Sequence, residues 1–207
     1  MRRPLLCTAV LAGAVLGLAA SPSQIQGTGV IRGHVSVTGV PRVTNRPAVV
    51  YLESAPRQAF DQLQAGTARM DQRHEQFVPH VLAITVGTRV WFPNSDTTFH
   101  NVFSLSPVKT FDLGRYAVGH AKSVAFDKPG IVPVSCDIHS HMSAYILVFS
   151  HPFFAVTDDD GQYAIAGVPA GTYTLVAWSE SAPTMSRGIT LTSGGVTDAD
   201  FQLGRRR

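Results

Sequence analysis

At residues 131–149 the chain reads IVPVSCDIHSHMSAYILVF. Two runs rich in Val, Ile and aromatic residues, each too short for a helix, flank a polar segment; this is the pattern of two β-strands joined by a loop. The loop, CDIHSHM at 136–142, holds a thiol, two imidazoles and a thioether in Cys136, His139, His141 and Met142. Outward from it the same strand signal recurs: SVAF (123–126), RVWFP (89–93), VLAITV (81–86), AVVYLE (48–53) and GVIRGHVSV (29–37), with Gly, Pro, Asn or Asp between the runs. No long helical period competes with them. The weak helical candidate, RQAFDQLQAG at 57–66, reads as a linker with a turn or two of helix. The expected fold class is therefore all-β, as sandwiches or Greek-key barrels.

With 44% hydrophobic and 15% charged residues in 207, the chain has enough apolar material for compact domains and is too weakly charged for a disordered polymer. Its first 24 residues, MRRPLLCTAVLAGAVLGLAASPSQ, run from Arg2 and Arg3 through an apolar stretch to the small residues Ala19, Ala20 and Ser21. That is the build of a secretory signal peptide over 1–24, and the apolar stretch is short of the roughly 20 residues an uncleaved membrane anchor needs. The mature protein is expected to be periplasmic or secreted, with no transmembrane segment after cleavage.

Cys7 lies inside the apolar stretch without a lipoprotein box before it and leaves with the signal. Cys136 is then the single cysteine of an exported chain, which leaves a free thiol, an intermolecular bridge or a metal ligand. Loss of Arg2 and Arg3 takes the formal net charge from +3 to +1, and the tail Arg205-Arg206-Arg207 supplies much of the remaining basic character, so nucleic acid is not an expected partner.

The last quarter has its own punctuation. In FFAVTDDDGQYAIAGVPAGTYTLVAW (153–178), Asp160-Gly161 suits a hairpin turn and Pro169-Ala170-Gly171 a second tight turn between alternating strands. With Thr157, Asp158, Gly161, Tyr163, Pro169, Gly171 and Tyr173 in place, the stretch resembles the carboxypeptidase regulatory-like, or transthyretin-like, β-sandwich. That family opens with a G-x-[IV]-x-G-x-V strand and a second apolar strand, found here far upstream at 29–37 and 49–52. The expectation is a discontinuous sandwich of 28–56 and 152–203 with a second domain, 68–151, inserted; either piece alone would be marginal. Asp158-Asp159-Asp160-Gly161 also has the look of a calcium loop, but the other ligands of one are missing, which favours a solvated turn.

The inserted segment carries the chemistry. His100 follows the polar turn in NSDTTFHNVFS (94–104) and opens an apolar strand, while Cys136, His139 and Met142 fall at the end of the penultimate strand. A histidine upstream, then Cys-x2-His-x2-Met, resembles the cupredoxins, and the short loop and the HNV after the turn look most like amicyanin, with plastocyanin and pseudoazurin sharing the Asn. The resemblance implies one mononuclear copper, His100, Cys136 and His139 as equatorial ligands, Met142 as the long axial one, and Asn101 as a residue tying the two ligand loops together. Such a mixed donor set suits both Cu(I) and Cu(II) with little rearrangement. His141 is the alternative ligand, at a longer Cys-x4-His spacing; Met142 would then be its immediate neighbour, and adjacent side chains on an extended segment point apart.

The implied function is an exported type 1 copper protein that carries one electron, not an enzyme, with redox partners such as a cytochrome or dehydrogenase. The alternative is non-redox copper binding or transfer, or an envelope module whose sandwich recognises a sugar or protein, to which an exposed Phe153-Phe154 would contribute. A nucleophilic Cys136 with a histidine base leaves His100 and Met142 unexplained, structural zinc normally takes more than one Cys, and the several His-x-His motifs of multicopper oxidases are missing. A binuclear copper centre needs a second cysteine in the loop. For His34, His74, His80, His120 and His151 a surface or capped role is the default, with His74 and His80 near Met70 a weak second copper site.

Overall fold

A computed structural model describes residues 27–38, 47–56, 59–60, 63 and 65–204. The expected signal peptide, Cys7 and the Arg205–Arg207 tail lie outside the described residues. Among those described there are eighteen strands and no α-helix. Of the weak helical candidate, a single tight turn at Ala59 and Phe60, closed by Ala59 N–H donating to Pro56 O at 2.9 Å, lies within the described residues.

Two strands come first, β1 (Thr28–Thr38) and β2 (Val49–Leu52). Ten follow: β3 (Thr67–Arg69), β4 (Asp71–Arg73), β5 (Gln76–Val78), β6 (Val81–Thr85), β7 (Arg89–Pro93), β8 (Phe103–Leu105), β9 (Thr110–Asp112), β10 (Ala121–Ala125), β11 (Gly130–Ser135) and β12 (Ser143–Phe149). The chain closes with β13 (Phe154–Val156), β14 (Gln162–Pro169), β15 (Gly171–Ser179), β16 (Ala182–Leu191), β17 (Val196–Asp198) and β18 (Phe201–Gly204).

The first two strands pair with the last six and not with the ten between. β1 lies antiparallel to β14, Thr28 opposite Pro169, and parallel to β17 and β18, while β2 sits between β13 and β15 with β16 outside. Ile31, Val35, Tyr163, Ile165, Phe201 and Leu203 of one sheet face Val50, Leu52, Leu175, Ala177, Ile189 and Leu191 of the other in one apolar core. The period-2 alternation that puts these residues inward is the strand geometry itself. At the Asp158 turn, Gly161 has φ +81°, and a Cβ there would come within 2.5 Å of Val35 O. The Asp158 carboxylate accepts from the N–H groups of Asp160 and Gln162, so it closes a turn on its own backbone. Tyr163 Oη donates to Ala199 O, and Tyr173 Oη to Pro169 O at 2.8 Å.

The middle strands form two further sheets, β10-β7-β3 and β6-β12-β11-β8-β9, plus the hairpin β4-β5. Val90, Phe92 and Val124 of the first sheet meet Ile84, Val132, Val134, Ala144, Ile146 and Val148 of the second around a separate core, which also holds Cys136 and Met142. The two cores are joined through a third apolar cluster of Val49, Val81, Leu147, Phe149 and Trp178. There Tyr145 packs edge-on to Trp178 with ring centroids 5.3 Å apart, and Phe149 stacks on Phe154 at 4.6 Å.

Phe153 belongs to the sandwich core and Phe154 to this junction, so they do not form the exposed aromatic surface considered from the sequence. Of the surface or capped role expected for His151 the structure has the capped one: the ring is buried, its Nε2 lies 3.0 Å from Leu52 O, and its Nδ1 accepts from Phe153 N–H at 3.2 Å. No helix among the described residues is long and apolar enough to cross a membrane.

Candidate metal centre

Inward placement of Cys136 follows from β11. Val132 and Val134 are buried while Ile131 and Pro133 are exposed, and continuing the alternation turns Cys136 toward the same core. Beyond it the chain makes a closed loop: Cys136 N–H donates to Met142 O at 3.1 Å, and Met142 N–H to His139 O at 2.9 Å. These bonds bring Met142 back beneath the loop, buried in the core that holds Cys136.

His100 arrives from a second segment. Asn94 organises the polar turn before it: its Oδ1 accepts from Asp96 N–H at 3.0 Å, and its Nδ2 donates to Thr98 O and Tyr116 O. His100 and Tyr116 then exchange backbone hydrogen bonds, 3.2 and 2.9 Å. The His100 ring has no solvent exposure, and its Nε2 lies 3.0 Å from Asp96 Oδ2. Burial opposes ionisation of Asp96, but the N–H groups of Glu75 and Thr97 and the His100 ring outweigh it and bring its pKa down to about 2. An ionised Asp96 only accepts, so a neutral His100 bonded to it donates from Nε2 and turns Nδ1 to the other side.

That Nδ1 points into a cluster. It lies 3.1 Å from His139 Nδ1 and 3.9 Å from Cys136 Sγ, and Cys136 Sγ is 3.9 Å from His139 Nδ1. Among the described residues, His100, Cys136 and His139 are the one group of His, Cys, Asp or Glu donors whose ligand atoms all lie within 4.8 Å of one another. His141 stands outside it, with a side chain 63% exposed against 17% for His139. Asn101 is buried beside His100 but turns to Asp112, which it and Gly114 N–H hold below the usual carboxylate range; the Asn101 Oδ1 has no hydrogen-bond partner among the described residues. Asp96 ties the His100 segment to the β4-β5 hairpin, through Glu75 N–H at 2.7 Å.

Sequence reading missed Asp96, Glu75, Gln72 and Tyr116. Asp96 left a signal, an acid four residues before His100. Glu75, at the β4-β5 turn, has its carboxylate 3.6 Å from His139 Nε2 and 3.3 Å from His141 Nε2, a placement that only the folded chain creates. Behind His100, Tyr116 Oη accepts from Gln72 Nε2 at 2.6 Å and donates to Phe92 O at 2.8 Å; burial holds its phenol well above the ordinary range. His74 is exposed at the same turn, whereas His80 pairs with Glu180 at 2.9 Å and packs against Tyr145; no group of three or more metal donors among the described residues includes either.

Comparison with known proteins gives one family model and several solved structures. The family model for the carboxypeptidase regulatory-like domain matches residues 143–204. Solved structures similar to the chain include a purple cupredoxin from Nitrosopumilus maritimus, 21% identical with a TM-score of 0.37, covering 40% of this chain and 99% of that one. A reduced point mutant of amicyanin is 20% identical with a TM-score of 0.39, covering 48% of this chain and 98% of that one. An oxidised amicyanin mutant is 20% identical with a TM-score of 0.38 and the same coverage, 48% and 98%. These neighbours are cupredoxins. No curated protein matches the chain.

Proposed function

We propose that the chain is an exported mononuclear type 1 copper protein that carries one electron at a time. His100, Cys136, His139 and Met142 would hold the copper. The observation that carries this reading is the convergence of His100 Nδ1, His139 Nδ1 and Cys136 Sγ, all within 4.8 Å of one another. A thiolate and two imidazoles are the donor set that a soft to borderline cation satisfies, and a nearby thioether favours copper over zinc. When bound, copper supplies the Cu(I)/Cu(II) couple. The chain contributes a frame in which two strand-anchored segments hold the donors and Asp96 fixes one ring from behind.

In this reading residues 28–56 and 152–203 form one sandwich and 68–151 an inserted copper domain. The sandwich pieces share one core, and Cys136 and Met142 lie in another, which supports the division. Export by a signal peptide at 1–24 places the protein in the periplasm or outside the cell, where its donor and acceptor would be redox proteins such as a cytochrome or a dehydrogenase. As an electron carrier it catalyses no net reaction.

Addition of Cu(II) to the purified protein is expected to give an intense thiolate-to-copper absorption in the visible, which the Cys136→Ser variant lacks. A protein that binds Cu(II) fully and stays colourless would sink the assignment, and binding of Cu(I) alone would mark a transfer or storage protein.

A further inference from the structure

Strand β7 turns Val90 and Phe92 into the core and sends Arg89 and Trp91 out to solvent. Register places Thr67 opposite Arg89 and Arg69 opposite Trp91 on one side, and Ser123 opposite Trp91 and Ala121 opposite Pro93 on the other. Residues paired across a sheet share a face, so these stand together on the outer face of β10-β7-β3. Along that face runs an open groove of about 580 Å³, lined by Thr67, Ala68, Arg69, Trp91, Pro93 and Ala121.

Trp91 is the unusual member. It is 45% exposed, whereas Trp178 is enclosed at the junction of the two cores. Among the described residues no ring packs on the Trp91 indole and its N–H has no hydrogen-bond partner; the cation that does lie over a ring is Lys122, on Tyr116. Positive charge gathers around this indole. Arg89 has no carboxylate within ion-pair distance among the described residues, and its guanidinium is held across the sheet by Ser123 Oγ at 3.3 Å. Arg69 shares Asp71 with Arg73, so two guanidinium groups face one carboxylate and one positive charge is left over.

These groups suit one kind of ligand. An indole face carries the negative part of the ring quadrupole, and the C–H groups of a pyranose, polarised by their oxygens, pack flat against it. A guanidinium takes a carboxylate through paired N–H···O bonds. Arg89 to Pro93 extends for about 13 Å of strand, longer than a single sugar ring, and the groove is open and not enclosed. A peptide would add a strand at a sheet edge through its backbone, while these side chains stand on the face.

We infer that the outer face of β10-β7-β3 is a binding platform for an acidic saccharide, a pyranose chain bearing carboxylates. Trp91 lies under a sugar ring, and Arg89 and Arg69 take the carboxylates. The platform does not rest on the copper reading.

Trigalacturonate is the probe. Titrated into the purified protein, it is expected to change the tryptophan emission saturably, with the signal coming from Trp91 because Trp178 is enclosed. Its methyl ester has the same rings without the charge and is expected to bind about tenfold more weakly or worse; by calorimetry Arg89→Ala should lose a similar factor, the worth of a charge-assisted hydrogen bond. Trp91→Ala is expected to abolish measurable binding. The ester comparison needs no variant and stands whether or not either one folds. Absence of saturation by about 10 mM, equal affinity for the ester, or an affinity unmoved by either substitution overturns the platform. Equal binding of a penta-glutamate peptide, which carries the charges without the rings, overturns the sugar assignment.

Discussion

Replacing Asp96 by asparagine keeps the size of the side chain and removes the charge that makes His100 Nε2 a donor. Outer partners of metal-bound histidines are typically worth about 10–100-fold in affinity, so Asp96→Asn should weaken copper binding by about that factor in a competition titration with a chelator. The exposed and enclosed histidines of the loop should separate cleanly: His139→Ala is expected to lose the visible band and His141→Ala to retain it. The reverse result would make His141 the ligand. Much of this chemistry is legible residue by residue, since Cys136, His139 and Met142 are local to one loop and His100 follows a recognisable polar turn. Asp96 was readable in principle from its spacing to His100. Glu75 was not, because nothing near it in the chain marks it and its partners lie in another segment.

Single strands and turns carry their own expectations. Gly161→Ala would force a Cβ against Val35 O at a φ of +81°, and it should cost about 1–3 kcal/mol in chemical denaturation. A smaller loss would mean that the turn can re-form around the methyl group. The strands visible in the sequence are those whose side chains alternate or run apolar, such as β7, β11, β12 and β14. β4 and β5 were invisible because one buries Asp71 and Gln72 and the other is three residues long. Asp71 is held by the guanidinium groups of Arg69 and Arg73, a stabilisation made by side-chain pairing that no hydropathy period records. Six consecutive residues of β16 are exposed, and its place is set by hydrogen bonding to β15, which propensity does not report.

The molecule as a whole is joined at Val49, Val81, Leu147, Phe149 and Trp178, with His151 beside the junction. Burial lowers the affinity of His151 for protons, only partly offset by its bond to Leu52 O. The unfolded chain then takes up the proton first as pH falls. Stability contributed by neutral His151 is therefore complete above the ordinary imidazole pKa of about 6.5 and declines as pH drops through it toward the lower folded-state value. Melting temperatures between about pH 7.5 and pH 5 should fall less steeply in His151→Gln than in wild type; parallel slopes would remove His151 as the cause. This feature was not readable beforehand, since a histidine after a strand gives no sign that another segment will close over it.

The pairing of β1 with β14, β17 and β18 has a consequence in time. On a nascent chain β1 emerges before the middle strands and its partners after them, so its hydrogen-bonding edges stay open while the middle strands are synthesised. An open, half-apolar strand is an invitation to wrong partners during that interval. Residues 67–149 pair among themselves and can close before the last strands arrive, which shortens the effective tether across which β1 must find them.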